Sequence, residues 1–192
     1  MLFASRDDGW LYGTGLWFTR GAGASWLASG KHLRATADGA HWHQYPAHCP
    51  ESYTPSIAAA SRSHVTALCY EMTGMFYTNI EALNSANGGK TMHLAGKNLI
   101  RGDPNGGFAV PPGRPAVLTM TVIYPAHSRL LRSANGGRTW AVVSIPGSGG
   151  ADVSSLSYVS RAIGWVVSGQ PGIGSQLLCT TNTGITWHNV PF

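Results

Sequence analysis

The sequence predicts an all-β chain assembled from four copies of one unit, and three observations carry that expectation. The octapeptide Ser133-Ala134-Asn135-Gly136-Gly137-Arg138-Thr139-Trp140 recurs almost intact as Ser85-Ala86-Asn87-Gly88-Gly89-Lys90-Thr91-Met92 and as Thr180-Thr181-Asn182-Thr183-Gly184-Ile185-Thr186-Trp187, with a worn copy at Ala35-Thr36-Ala37-Asp38-Gly39-Ala40-His41-Trp42. The large residue closing each copy (Trp42, Met92, Trp140, Trp187) returns after 50, 48 and 47 residues. That is the period of propeller-type repeats when the intervening pieces look like strands. Finally, 25 glycines, seven Trp and seven Tyr stand against only 11% charged residues. Short strands joined by tight turns suit that mixture, whereas helices would need more Lys and Glu for their exposed faces.

Other features recur in phase. Each unit opens on a short apolar or alternating stretch, at residues 2–5, 56–61, 107–110 and 153–160. A turn follows that carries Arg6, Arg62, Arg114 or Arg161, three of them in Ser-Arg pairs. A second, more buried strand is expected at 9–13, 65–70, 117–124 and 164–169, entered by Gly9-Trp10 in the first unit and Gly164-Trp165 in the last. A loop of variable length comes next; in the first unit it covers residues 14–30 and displays Trp17, Phe18 and Trp26. Third strands fall at 32–36, 81–85, 129–133 and 176–180, then the Gly-rich turn and a fourth strand such as 139–144. Four strands per unit with short connections make antiparallel propeller blades.

The whole chain, 1–192, is therefore one domain with blades near 1–46, 54–97, 105–146 and 150–192. The Pro- and Gly-rich segments 46–55, 96–106 and 146–150 are blade crossings rather than domain boundaries, since a unit of this size has too little core to stand alone. Four such blades either close a ring or belong to a larger one, completed by further blades or by a second copy of the chain.

The net charge is +5 with neutral histidines, and no run of Lys or Arg forms a nucleic-acid arm. No stretch approaches the ~20 apolar residues of a spanning helix, and residues 1–6 lack the basic start and apolar centre of a signal peptide. Low charge with high Gly and Trp content points to an extracytoplasmic setting. Of the three cysteines, Cys49 and Cys69 have the option of one bridge, with independent buried thiols as the expected state; no CxxC spacing suggests zinc.

The octapeptide resembles the Asp-box, or BNR repeat, Ser/Thr-x-Asp-x-Gly-x-Thr-Trp. Ser85, Ser133 and Thr180 match its first position, Gly89, Gly137 and Gly184 its glycine, Thr91, Thr139 and Thr186 its threonine, and Trp140 and Trp187 its tryptophan. Asn87, Asn135 and Asn182 stand where the repeat usually has Asp, and the worn copy has Ala37 there. Together with the Gly-Trp strand entry, this is similar to the sialidase-like propellers, among them the photosystem II assembly factor-like proteins. The resemblance covers nearly the whole chain and implies a propeller whose boxes are structural. It leaves function open, because that fold hosts enzymes, receptors and scaffolds.

Enzymatic readings meet a shortage of acids. The chain holds only Asp7, Asp8, Asp38, Glu51, Glu71, Glu81, Asp103 and Asp152, and it lacks the Arg-Ile-Pro motif that the sialidase resemblance would bring. A glycosidase needs two carboxylates across a cleft; Glu71 and Glu81, flanking the variable loop of the second unit, are the available pair. His43, His93 and His188 share one repeat position and so spread around a ring instead of meeting at one ion. Asp103-Pro104-Asn105-Gly106-Gly107 lacks the spaced oxygens of a calcium loop and is expected to be a turn. No cofactor and no metal are called for.

The repeated arginines are the strongest binding constellation. Arg6, Arg62, Arg114 and Arg161 fall on turns that a propeller places on the same end as the boxes, joined there by Lys90 and Arg138. A basic face of this kind fits an acidic protein or a polyanionic glycan through bidentate contacts. Trp17, Phe18 and Trp26 form a second, aromatic candidate. The expected function is a non-catalytic binding or assembly module; the alternative is a glycoside hydrolase, or a fragment of one.

Overall fold

A computed structural model describes residues 49–50, 52–124, 127–146, 152–170 and 174–191; before them it describes the strand segments 2–3, 9–12, 16–19, 27–29, 33–35 and 43–45. The described elements are strands throughout. The first sheet holds β1 (Leu2–Phe3), β2 (Gly9–Tyr12), β3 (Leu16–Thr19) and β4 (Leu27–Ser29), and β5 (Leu33–Ala35) pairs β6 (His43–Tyr45) as a two-stranded ribbon. The second sheet is β7 (Thr54–Ala59), β8 (Val65–Gly74), β9 (Tyr77–Ser85) and β10 (His93–Arg101). The third is β11 (Asp103–Ala109), β12 (Leu118–Tyr124), β13 (His127–Ser133) and β14 (Ala141–Val143). The fourth is β15 (Asp152–Tyr158), β16 (Gly164–Gln170), β17 (Gly174–Thr180) and β18 (His188–Val190). Every pairing is antiparallel between sequence neighbours, as in a meander, and the four-stranded sheets repeat as propeller blades.

Strands buried on both faces explain the composition. In β12 the residues Leu118, Met120 and Val122 enter the core between the second and third sheets, with Ala58, Leu68, Ile80, Ala82 and Ile100. Thr119 and Thr121, on the other face, are equally buried. Their hydroxyls are satisfied by Tyr158 Oη at 2.8 Å and by the Gly107 carbonyl at 3.4 Å, which removes the cost of an unpaired buried polar group. A second cluster, with Leu130, Val153, Leu156, Val166 and Leu178, fills the space between the third and fourth sheets. β11 lies beside β7 on one side and β15 on the other, so the first strand of each blade takes the inner position. The residues closing the third and fourth boxes plug inter-sheet layers, Trp140 against the second-to-third cluster and Trp187 within the third-to-fourth cluster, while Met92 packs on Ala67, Cys69 and Leu83 of its own sheet.

Several expectations are corrected. Residues 14–30 contain β3 and β4 rather than a continuous loop, and the strand expected at 32–36 belongs to the separate β5–β6 ribbon. The segment 96–106 is not a crossing but strand: β10 runs to Arg101 and β11 begins at Asp103, with Gly102 alone between them (φ 110°). Asp103 thus opens a bulged strand and not a turn. The variable loop of the second blade shrinks to Met75-Phe76, because β8 and β9 continue past Glu71 to pair Gly74 with Tyr77. Cys49 and Cys69 form a disulfide with Cα atoms 5.5 Å apart, so they are not independent thiols; Cys179 is the free one. Spacing alone could not show this, because the bridge ties the chain entering the second blade to the middle of β8.

Candidate functional site

The three described boxes are held by one pattern of hydrogen bonds. Ser133 Oγ accepts from the Gly137 amide (2.9 Å) and the Asn135 amide (3.3 Å) and donates to Asn135 Oδ1 (3.0 Å). Asn135 Oδ1 also accepts from the Thr139 amide (3.0 Å), while its Nδ2 donates to Thr139 Oγ1 (2.8 Å). Ser85, Asn87, Gly89 and Thr91 repeat all five bonds, and so do Thr180, Asn182, Gly184 and Thr186. A backbone N–H can only donate, so the Thr amide fixes which end of the Asn side chain faces it. The Ser or Thr hydroxyl stays inside its own turn and does not bridge strands.

The boxes dock onto the arginine-bearing turns. The amide of the fourth box residue donates to a carbonyl of the turn between the first two strands: Gly88 to Ser63 (2.8 Å), Gly136 to Ala116 (2.8 Å) and Thr183 to Ala162 (2.9 Å). The Ser of the two described Ser-Arg pairs closes that turn. Ser61 Oγ accepts from the His64 amide (3.1 Å) and Ser160 Oγ from the Ile163 amide (3.0 Å), which leaves the following arginine pointing outward. Arg62, Arg114 and Arg161 are all exposed, as are Lys90 and Arg138, whose Nη1 donates to the Asn135 carbonyl at 3.3 Å. The turns are also laced in series: the Gly113 amide donates to the Ala60 carbonyl at 2.8 Å, and the Arg161 stem lies along Gly113.

The box end of the second to fourth sheets carries basic side chains and, among the described residues, no carboxylate. Five basic residues, Arg62, Lys90, Arg114, Arg138 and Arg161, occupy the box end of the second to fourth sheets. The described acidic side chains lie away from it: Glu71 is near the far end of β8, Glu81 is within β9, and Asp103 opens β11 at the far end. Glu81 is held by Lys97 Nζ at 2.7 Å, and this partner holds the Lys97 ammonium above its ordinary range. Burial raises the Asp103 carboxyl.

Other candidates are placed as follows. Arg6 and Trp26 lie outside the described residues, while Trp17 and Phe18 sit on β3, opposite Leu11 and Trp10 of β2, and not in a loop. His43, His93 and His188 fall at the starts of β6, β10 and β18, strands of three different sheets. No helix among the described residues is long and apolar enough to cross a membrane.

Sequence reasoning missed an aromatic-cationic cluster at the far end. Arg101 Nε and Nη2 donate to Tyr77 Oη (3.0 and 2.8 Å), with the guanidinium 5.2 Å from the ring centroid. Phe76 meets Tyr124 edge-on at 5.9 Å, and Arg129 lies 5.1 Å over the Tyr124 ring. The available signal was Met75-Phe76 at a tight turn, where Asn-Gly would be ordinary.

No protein-family model matches the chain, and no curated protein matches it. Among solved structures it is similar to YCF48 bound to a D1 peptide (15% identity over 97% of this chain and 78% of that one, TM-score 0.38). YCF48 from Cyanidioschyzon merolae shows 13% identity over 98% and 83%, with TM-score 0.40. A GH74 xyloglucanase from Xanthomonas campestris shows 15% identity and TM-score 0.50; the match covers 95% of this chain but only 36% of the enzyme. At 15% identity the likeness to the xyloglucanase speaks for the fold alone, a β-propeller, which this chain shares.

Proposed function

We propose that the chain is a non-catalytic binding module that docks an acidic protein on its box-turn face. The clustering of basic side chains at a box end without described carboxylates carries this reading. Five basic side chains are exposed at one end of three sheets, and the described carboxylates lie along or beyond the strands. Repeated bonds fix the backbone from which these side chains rise, so a partner meets a preorganised array. The Cys49–Cys69 bridge supports an oxidising, extracytoplasmic compartment as the setting.

Poly-L-glutamate and heparin, immobilised separately, test the reading and distinguish a carboxylate-bearing protein surface from a sulfated glycan. Wild type is expected to bind polyglutamate. The Arg114→Glu, Arg138→Glu, Arg161→Glu triple variant should lose at least about tenfold in affinity, because rim charges act additively and electrostatically. Since these side chains are exposed, its melting temperature should stay within a few degrees of wild type. Retention of heparin alone, or an unchanged affinity in the triple variant, contradicts docking of an acidic protein.

A further inference from the structure

We propose that Asn87, Asn135 and Asn182 set the charge preference of the box-turn face. Each is a neutral amide at a position where a carboxylate would hold the turn equally well, and together they keep that face free of negative charge. This role rests on the docking reading of the same face and assigns its selectivity to three residues that are not basic.

The hydrogen bonds of the box do not require an amide. Oδ1 of Asn87 accepts from the Thr91 amide and from Ser85 Oγ, both at 2.9 Å. Asn135 accepts likewise from Thr139 and Ser133 (3.0 and 3.0 Å), and Asn182 from Thr186 and Thr180 (2.9 and 3.0 Å). A carboxylate oxygen accepts both bonds as well as an amide oxygen does. The remaining bond runs from Nδ2 to the hydroxyl of Thr91, Thr139 or Thr186, at 2.9, 2.8 and 2.8 Å. A hydroxyl both accepts and donates, so with a carboxylate the Thr hydroxyl rotates and donates in the reverse direction. All three donors are neutral and favour the ionised form of such a carboxylate, which would carry its full charge at neutral pH.

What a carboxylate would change is the field around the arginines. Lys90 stands three residues beyond Asn87, and Arg138 three beyond Asn135, in the same turns. Arg138 Nη1 already reaches the Asn135 carbonyl at 3.3 Å, so an acid on that residue would set a counter-charge beside the guanidinium. Asn182 precedes Thr183, whose amide and hydroxyl bond the carbonyls of Ala162 and Arg161 (2.9 and 3.3 Å), which ties this box to the Arg161 turn. Asn87 and Asn182 are exposed and Asn135 half-buried, so their charge would be felt at the surface. Three acids would take the five basic side chains of this end from five positive charges to a net of two. An acidic partner would then meet like charge at each box, which lowers both its encounter rate and its affinity. The amide in all three boxes therefore serves the face and not the turn.

Polyglutamate binding by the full chain tests this, with Asn87→Asp, Asn135→Asp and Asn182→Asp combined in one variant. That variant should melt within a few degrees of wild type and lose about tenfold or more in affinity at low salt, with the difference shrinking as salt screens the charges. Taken singly, Asn135→Asp should weaken binding several-fold. Asn79→Asp adds the same charge near the far end of β9, opposite Glu71, and should bind as wild type does. If wild type binds and the triple arginine variant does not, an aspartate variant that binds like wild type overturns the role of the amides alone. Equal losses from Asn135→Asp and Asn79→Asp overturn it too, as does a large fall in melting temperature in the combined variant, since the turn itself would then need the amide. A wild type that ignores polyglutamate, or a triple arginine variant that binds it normally, overturns the docking reading and this role together.

Discussion

Asn84 Nδ2 donates to the Gly136 carbonyl at 3.0 Å, carrying a hydrogen bond from β9 of the second sheet to the box of the third. Arg132 repeats it one blade later, its Nε donating to the Thr183 carbonyl at 2.8 Å. Asn84 and Arg132 each precede the first residue of their own box, and Gly136 and Thr183 are each the fourth residue of the next. One repeat position therefore does two jobs: the box fastens its own turn, and the residue before it fastens the neighbouring blade.

Replacing Arg132 with Met keeps the aliphatic stem but removes this donor. Thr183 is held at φ 65° by that bond, by its amide on Ala162 and by its hydroxyl on the Arg161 carbonyl at 3.3 Å. The expected loss is about 1.5–3 kcal/mol in denaturant unfolding, the usual range for a charged donor. Thr183→Gly should move the other way by up to ~1 kcal/mol, since glycine adopts this φ without the side-chain penalty. A destabilised Thr183→Gly would show that the hydroxyl bond outweighs the strain.

Gly137 has φ 93°, and a methyl group placed on it would collide with Cβ of Ala82 across the blade boundary. Gly137→Ala should therefore cost at least the ~1–3 kcal/mol of overpacking, and Ala82→Gly in the same chain should restore part of it. Independent, additive effects in the double-mutant cycle would mean the two residues do not meet.

Trp187 is 2% exposed within the third-to-fourth cluster, whereas Trp140 is half-buried. Trp187→Ala should cost about 3–5 kcal/mol and Trp140→Ala less. Equal losses measured by urea unfolding would contradict the difference in burial.

The thiol count is equally direct. Denatured, unreduced protein should expose one reactive thiol, Cys179, and reduction should raise the count to three. Three reactive thiols before reduction would refute the bridge. Removing it through Cys69→Ser with Cys49→Ser should cost about 2–4 kcal/mol, since it closes a loop between residues 20 apart.

Tyr158 links stability to alkaline pH. Burial raises its phenol above the ordinary value of 10.0, against the opposing pull of the Thr119 hydrogen bond and Arg132. Between the unfolded and folded values the native chain holds a proton that the unfolded chain has released, so stability falls as pH rises. This contribution is intact below about pH 10 and is lost above it. Tyr158→Phe should flatten that decline while losing about 1 kcal/mol at neutral pH from the unpaired Thr119 hydroxyl. An alkaline limb parallel to wild type would contradict the assignment.

Repetition made the blades legible before any coordinates. Octapeptides in phase mark turns, and turns fix strand order, while the structural role of Ser133, Asn135, Gly137 and Thr139 followed from their match to the Asp-box. Length variation was less legible. Nothing local in Asn98 or Lys97 marks β10 as continuing to Arg101, because that extension depends on pairing with β9 across the sheet. The arginine face could be inferred from the repeat, since each Ser-Arg pair occupies the same turn. The Tyr77–Arg101 and Phe76–Tyr124 contacts could not, because they join residues 24 and 48 positions apart that occur in no repeat.

The central claim is that electrostatics at the box-turn face drive docking, and the salt dependence of polyglutamate affinity tests it most directly. Screening lengths shorten from about 10 Å at 0.1 M salt to about 3 Å at 1 M. Wild-type affinity should therefore fall steeply across that range, and the Arg114→Glu, Arg138→Glu, Arg161→Glu variant should bind weakly with little salt dependence. Salt-independent wild-type binding, or a variant that reproduces the wild-type curve, would contradict the account.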